Sequence, residues 1–181
     1  MSSPTADVSV RIAWADDAAA IAALQVRAWQ SLYADLLPPE ALTLDPDQAA
    51  AAWRSSLAAP RDARNRALVA LERNRVVGFA VTTPASDPDC DPVADAELVE
   101  LSVEPTERGK GHGSRLLQAA VETMAADKFR RAVLWAVATD DELRAFLTGA
   151  GWAPDTAHRE LDLDGEGTTR VKQVRLHTAL A

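Results

Sequence analysis

Cysteine is almost absent from this sequence, since Cys90 is the only one in 181 residues. One cysteine forms no intrachain disulfide and no thiolate metal cluster, and no two histidines have metal-ligand spacing, so we predict no metal site. Long apolar runs are also missing, because residues 18–24 are far shorter than the roughly 20 residues that cross a bilayer. The N-terminus lacks a basic segment followed by an apolar one. We therefore expect a cytoplasmic protein that does not enter membranes.

An excess of positive charge is missing as well. The chain has 19 Lys and Arg against 27 Asp and Glu, a formal net charge of −8. General nucleic-acid binders need clustered basic residues, so this class is excluded. The clearest acidic cluster comprises Asp87, Asp89, Asp91 and Asp95. Two interpretations stay open: a solvated loop, or a loop that attracts a cationic amine substrate.

The length and the 48% of hydrophobic residues predict one domain over residues 8–181, preceded by a disordered tail at residues 1–7. Apolar spacing predicts the element order β-α-α-β-β-β-α-β-α-β-β. The continuous apolar run at residues 132–138 is typical of a parallel strand buried on both faces. The preceding helix would be its right-handed crossover. This pattern predicts an α/β (α+β mixed) fold with helices on a mixed sheet.

The stretch at residues 98–117 indicates a strand, a turn, a glycine-rich loop and a helix. Pro105 ends the strand, and three glycines follow within five residues: Gly109, Gly111 and Gly113. Backbone N–H groups at such a helix start favour negative charge, and glycine lets a ligand approach closely. We predict that this stretch holds the pyrophosphate of a coenzyme.

Other phosphate motifs fit this loop poorly. A P-loop needs a lysine after its last glycine, but Lys110 lies between glycines. The sequence GKGHG also fails the dinucleotide pattern G-x-G-x-x-G, and it lies past mid-chain. A turn without a ligand is disfavoured, because three glycines raise the entropy lost on folding.

The loop sequence RGKGHG at residues 108–113 fits the pattern R-x-x-G-x-G and resembles the GCN5-related N-acetyltransferase (GNAT) family. The preceding LSVEP is similar to that family's L-x-V-x-P strand end. Residues 140–152 resemble its late helix, with Phe146, Gly151 and Trp152 in matching places. The predicted element order matches the family's from about residue 8 to the C-terminus.

This resemblance implies the GNAT (acyl-CoA N-acyltransferase) fold, a twisted mixed sheet of about seven strands with helices on both faces. Two parallel strands, residues 97–103 and 132–138, would splay apart in its middle and admit acetyl-CoA, with no metal. Backbone groups would bind the pantetheine arm and the pyrophosphate, while the side chains of Lys110 and His112 would contact phosphate or solvent. The implied coenzyme-binding residues are Leu101, Ser102, Val103, Arg108, Gly109, Lys110, Gly111, His112, Gly113, Ser114, Asp140 and Phe146.

The resemblance also implies an N-acetyltransferase in which a primary amine of a small molecule or peptide attacks acetyl-CoA directly in a ternary complex. The N–H of Leu101 would stabilise the developing oxyanion. Glu100 is the first candidate for the base, on the strand face that alternation assigns to Leu98 and Ser102. Glu97 is the second candidate, because a bulge between the two glutamates would exchange their faces.

The acid departs from the family pattern, because Leu147 replaces the usual late-helix tyrosine. Tyr33 is the only tyrosine and lies one helical turn after Trp29, so it either acts as the acid or walls the acceptor site. Solvent protonation of the thiolate is a further route. The missing tyrosine also leaves open a non-catalytic acyl-CoA-binding regulatory protein, and the C-terminal hairpin leaves open a homodimer.

Overall fold

The computed structural model describes residues 7–181, so the predicted tail falls almost entirely outside the described residues. Within them, strands and helices follow one another in the predicted order. The elements are β1 (Val8–Ile12), α1 (Ala18–Leu32), α2 (Pro46–Ala58), β2 (Arg66–Glu72), β3 (Arg75–Pro84), β4 (Asp95–Val103), α3 (His112–Ala126), β5 (Arg131–Val137), α4 (Asp141–Gly149), β6 (Ala153–Asp162) and β7 (Arg170–Ala179). None of the helices in this range is both long and apolar enough to span a membrane.

The strands of residues 7–181 form one seven-stranded sheet in the order β1-β2-β3-β4-β5-β7-β6. Neighbouring strands are antiparallel except β4 and β5, which are parallel and joined through α3. The predicted mixed sheet with one crossover is therefore confirmed. Its parallel pair lies at the centre, where the hydrogen-bonded ladder is shortest.

Helices cover both faces of the sheet, as predicted. On one face, α3 buries Leu116, Ala120 and Met124 against β2, β3 and β4, and Leu147 of α4 joins the same core. On the other face, α1 and α2 pack on β2 and β3, and the rings of Trp53 and Phe79 meet edge to face at 5.5 Å. Burial of these apolar stripes is the main force that fixes the helices on the sheet.

The central strands separate soon after they pair. β4 and β5 are in register only over Asp95–Glu97 and Arg131–Val133. Beyond that point each strand continues without the other, which confirms the predicted splay. The separation exposes backbone groups of both strands that a continuous sheet would have paired.

A β-bulge at Val99 changes the face on which β4 presents its side chains. Glu100 pairs with Val81 and Leu98 pairs with the next residue, so Val99 has no partner on β3. Leu98 is consequently buried against α3, on the face opposite Glu100. The prediction that Leu98 lies on the same strand face as Glu100 was wrong, whereas Ser102 does lie on the face of Glu100. The bulge also brings Glu97 to the face of Glu100, because Glu97 and Leu98 point in opposite directions.

Candidate active site

A cleft of about 960 Å³ opens where β4 and β5 separate. Its walls come from both strands, the end of α1, the glycine loop, the start of α4 and β6. Three predicted site residues, Glu97, Lys110 and His112, are not among its lining residues. The predicted site residues that do line it are Tyr33, Glu100, Leu101, Ser102, Val103, Arg108, Gly109, Gly111, Gly113, Ser114, Asp140 and Phe146.

The backbone of β4 offers hydrogen-bond donors to this cleft. The N–H of Glu104 donates to the carbonyl of Val77 on β3 at 2.8 Å. Because N–H groups alternate in direction along a strand, those of Val103 and Leu101 point away from β3, into the gap left by β5. A ligand lying in the gap would therefore find the donors of an unfinished sheet.

The glycine loop places the start of α3 beside the same gap. Gly109 and Gly111 have φ of +77° and +84°, a left-handed conformation in which other residues are strained. Gly111 is the N-cap of α3, so the first N–H groups of the helix, near Gly113 and Ser114, lack intrahelical partners. Both residues line the cleft, where the helix dipole favours an anion.

The start of α4 closes this end of the cleft. The ring of Phe146 lies 3.7 Å from the position that a Cβ on Gly113 would occupy. Asp140 caps α4 by accepting a hydrogen bond from the N–H of Leu143 at 3.1 Å. Leu147, at the position where the family resemblance expects a tyrosine, is fully buried in the core. The late helix therefore contributes no tyrosine hydroxyl to the cleft.

Lys110 and His112 face away from the cleft. Lys110 donates to Glu107 at 2.6 Å; this lysine and Arg75, which binds Glu107 at 2.7 Å, lower the pKa of that carboxyl to about 2. His112 is buried, and its Nε2 lies 3.5 Å from an oxygen of Glu72. The prediction that the His112 side chain contacts phosphate or solvent was wrong, because this first residue of α3 lies on its sheet-facing side.

Glu100 lies on the floor of the cleft and accepts three hydrogen bonds. Gln25 donates to one carboxylate oxygen at 2.7 Å, while Trp29 and Ser102 donate to the other at 3.1 and 3.2 Å. Burial raises the pKa of Glu100, and these three donors oppose that shift because they favour the ionised form. The net shift is upward, so the carboxylate is more basic than an exposed glutamate.

A second tryptophan fixes the direction of this network. Trp53 donates its indole N–H to the amide oxygen of Gln25 at 3.0 Å. An indole nitrogen only donates, so the amide must turn its oxygen to Trp53 and its NH₂ to Glu100. The sequence reasoning missed both Gln25 and Trp53. A signal that could have identified Gln25 is its position one helical turn before Trp29, which itself lies one turn before Tyr33 at the C-cap of α1.

Tyr33 lines the cleft near two carboxylates. Burial raises its pKa most, and the charges of Glu100 and Asp140 add to the shift. The phenol is therefore fully protonated at neutral pH and can donate a hydrogen bond. This position fits either of the roles expected for Tyr33, the acid or a wall of the acceptor site.

Glu97 and the aspartate loop form a separate ionic cluster. Burial raises the pKa of Glu97 and nearby Asp87 adds to it, while two arginines oppose the shift. Arg175 binds Asp87 at 3.1 Å, Asp89 at 2.6 Å and Asp155 at 2.7 Å. Two of the four loop aspartates, Asp87 and Asp89, thus share one arginine within the protein.

The sequence model described as the acetyltransferase (GNAT) family matches residues 26–152. No curated protein sequence matches the chain. Solved structures with the same fold include yncA of Salmonella typhimurium with acetyl-CoA (18% identity, TM-score 0.70, covering 97% of this chain and 95% of that one). PaiA N-acetyltransferase of Thermoplasma acidophilum with coenzyme A is similar (15% identity, TM-score 0.68, covering 95% of this chain and 98% of that one). Ribosomal-protein-alanine N-acetyltransferase of Brucella melitensis is also similar (21% identity, TM-score 0.74, covering 95% of this chain and 99% of that one).

Proposed function

The chain belongs to the acetyltransferase (GNAT) family, and we propose that it transfers the acetyl group of acetyl-CoA to a primary amine of a small molecule or peptide. The observation that carries this proposal is Glu100, a buried carboxylate at the point where the central strands separate. A basic carboxylate beside unpaired strand donors is what direct attack by an amine requires.

The donor end of the cleft fits the coenzyme through its backbone. The N–H of Val103 suits a pantetheine arm lying in the gap, which leaves the N–H of Leu101 for the thioester oxygen, and the start of α3 suits the pyrophosphate of the coenzyme. Acetyl-CoA supplies the thioester when bound. The similar yncA and PaiA structures contain acetyl-CoA and coenzyme A, respectively.

Glu100 prepares the amine for attack. Its carboxylate accepts a proton from the amine directly or through one water, as the amine nitrogen bonds to the thioester carbon. The N–H of Leu101 stabilises the negative charge that develops on the carbonyl oxygen. The C–S bond then breaks, and coenzyme A leaves as a thiolate.

Tyr33 assists the departing thiolate by a hydrogen bond. The pKa of this phenol lies above its ordinary value of about 10, whereas that of a thiol is about 8.5. Complete proton transfer from Tyr33 to sulfur is therefore uphill. The hydroxyl stabilises the thiolate, and solvent provides the proton.

A second candidate function is a non-catalytic acyl-CoA-binding regulatory protein of the same fold. The observation that favours it is the buried Leu147, which stands where the family pattern has a tyrosine. As a result, α4 has no tyrosine hydroxyl to protonate the thiolate. Acetyl-CoA would bind the same strands in this case, but no acyl group would be transferred.

Thiol release from acetyl-CoA across a panel of primary amines, with mass spectrometry of the products, separates these functions. We expect amine-dependent thiol release and an acetylated amine. Saturable acetyl-CoA binding by calorimetry with no product from any amine would favour the regulatory protein. A failure to bind acetyl-CoA would refute both.

A further inference from the structure

The end of the cleft beyond Glu100 is mostly apolar. Trp29 and Trp135 provide aromatic surface there. The other apolar lining residues in this region are Leu32, Leu37, Leu161 and Leu163. A pocket with such walls binds the body of a ligand by burying apolar surface, and its few polar groups select the ligand.

Arg159 is the cation in this apolar region. It extends from β6 over the ring of Trp135, with the guanidinium carbon 4.2 Å from the ring centroid. Its Nε donates to Gln173 at 2.7 Å, which holds the guanidinium in one orientation. The side chain is 42% exposed, and among the described residues neither terminal nitrogen has a hydrogen-bond partner.

The nearest acid, Asp87, accepts no hydrogen bond from Arg159. Asp87 forms an ion pair with a terminal nitrogen of Arg159 across 3.8 Å, which is beyond hydrogen-bond distance. Asp87 instead accepts hydrogen bonds from Trp135 at 2.9 Å and from Arg175 at 3.1 Å. Arg175 therefore holds Asp87 and Asp89 by hydrogen bonds, whereas Arg159 makes only the longer ion pair and keeps the donors of its terminal nitrogens for a ligand.

We propose that Arg159 binds a carboxylate on the acceptor, so that the acceptor is an apolar amino acid or a similar amine that carries an anionic group. This rests on the proposed function, since the amine of the same molecule lies at Glu100. A planar guanidinium offers two parallel donors to a carboxylate, and its stacking on Trp135 fixes their plane. The amine and the carboxylate of the acceptor are thus recognised by separate groups, while its apolar side chain contacts the walls of the cleft.

The test compares leucine, methionine and phenylalanine with their amides, in wild type and in Arg159→Gln. Acid and amide differ in the carboxylate, and taking the ratio between the two proteins cancels the difference in amine basicity. We expect the acid-to-amide ratio of kcat/KM to fall at least roughly tenfold in Arg159→Gln, as charge-assisted hydrogen bonds are lost. Arg159→Lys should retain part of the preference.

Arg170→Gln is the matched control, because Arg170 is an exposed arginine of the same hairpin that pairs with Glu160 outside the cleft. The acid-to-amide ratio of kcat/KM in Arg170→Gln should equal that of wild type. An acid-to-amide ratio unchanged in Arg159→Gln would overturn the proposal while leaving the acetyltransferase intact. Calorimetry of the same pairs with coenzyme A present gives a readout without turnover. If no amine is acetylated but the acids bind through Arg159, the proposed function fails and the anion site stands; if neither occurs, both fail.

Discussion

The proposed coenzyme end of the cleft includes one contiguous stretch, residues 101–114, whereas the proposed acceptor end is lined by residues from α1, β5 and β6. At the first end, ligand donors are N–H groups of a separated strand and a helix start. At the second end, they are individual groups such as Glu100, Tyr33 and Arg159. A backbone site depends on dihedral angles and strand separation, and a side-chain site depends on single atoms.

This difference has a consequence for substitution. Most side chains of the coenzyme end can change without loss of a donor, because every residue other than proline carries an N–H. At the acceptor end, each substitution removes a specific charge or hydrogen bond. We therefore expect changes at the acceptor end to alter catalysis and acceptor choice, and changes at the glycines to alter coenzyme affinity.

Glu100→Gln should have the largest effect on the reaction. Loss of the base should lower kcat by roughly 10²- to 10⁴-fold. The dissociation constant of acetyl-CoA, measured by calorimetry, should stay close to that of wild type. The amide of the variant also brings an NH₂ group towards the donors of Gln25, Trp29 and Ser102, which can destabilise the fold. The melting temperature of the variant should therefore be compared with that of wild type.

Glu97→Gln is the paired substitution, because Glu97 lies on the same face but outside the lining of the cleft. It should lower kcat much less than Glu100→Gln does. A larger loss in Glu97→Gln would assign the base to Glu97 and would contradict the division of the cleft described above.

Gly111→Ala should affect the other end. An alanine at φ of +84° costs about 1–2 kcal/mol in the left-handed region. If the loop relaxes to avoid this strain, acetyl-CoA should bind about 5- to 30-fold more weakly, with the acceptor KM unchanged. Gly149→Ala is the control, because that glycine lies near the end of α4 with open space around its Cβ position. Equal affinities in the two variants would show that the conformation of the loop is not needed for coenzyme binding.

Tyr33→Phe should have a smaller effect on kcat. The ring remains as a wall, and only the hydroxyl is lost, so kcat should fall about three- to tenfold, the effect of one hydrogen bond to a developing charge. Tyr33→Leu should in addition raise the acceptor KM, because it removes aromatic surface. A kcat of Tyr33→Phe equal to that of wild type would leave the wall as the only role of Tyr33.

The coenzyme end could be predicted because its information is contiguous in sequence. The glycines and Pro105 indicated the loop and the strand end directly, while the splay of the strands was implied by the family resemblance. The start of β6 at Ala153 has no clear sequence signal, because this exposed edge strand lacks a regular apolar alternation. The side chain of His112 was misplaced, since a loop sequence does not show which face a helix will bury.

The acceptor end could not be predicted in the same way. Gln25 lies 75 positions before Glu100, and Trp53 lies 28 positions after Gln25, so only the packing of α1 and α2 on the sheet brings them together. The bulge at Val99 leaves only a short signal in the sequence, because Leu98 and Val99 are two successive apolar residues between Glu97 and Glu100, and this break in the alternation does not by itself show where the bulge lies. The hydrogen-bond network around Glu100 depends on tertiary contacts that local patterns do not encode.

Gln25→Leu should have the smallest effect, and its main sign is a change in pH dependence. If Glu100 is the base, as proposed, it must be ionised for catalysis, and kcat/KM should fall as the pH drops through the pKa of Glu100, which lies above the ordinary value. The hydrogen bond from Gln25 lowers that pKa, so its removal should move the acid limb to higher pH. At a pH above the limb, kcat should change only a few-fold, because the base itself remains.

Trp53→Phe provides the matched test of how Gln25 is oriented. The ring remains against Phe79 while the indole N–H is lost, which frees the amide of Gln25 to turn over. If its NH₂ then faces Glu100 only part of the time, the acid limb should shift in the same direction as in Gln25→Leu, but less. A limb that moves to lower pH in either variant would mean that the network does not favour the ionised carboxylate, and that burial alone determines the basicity of Glu100.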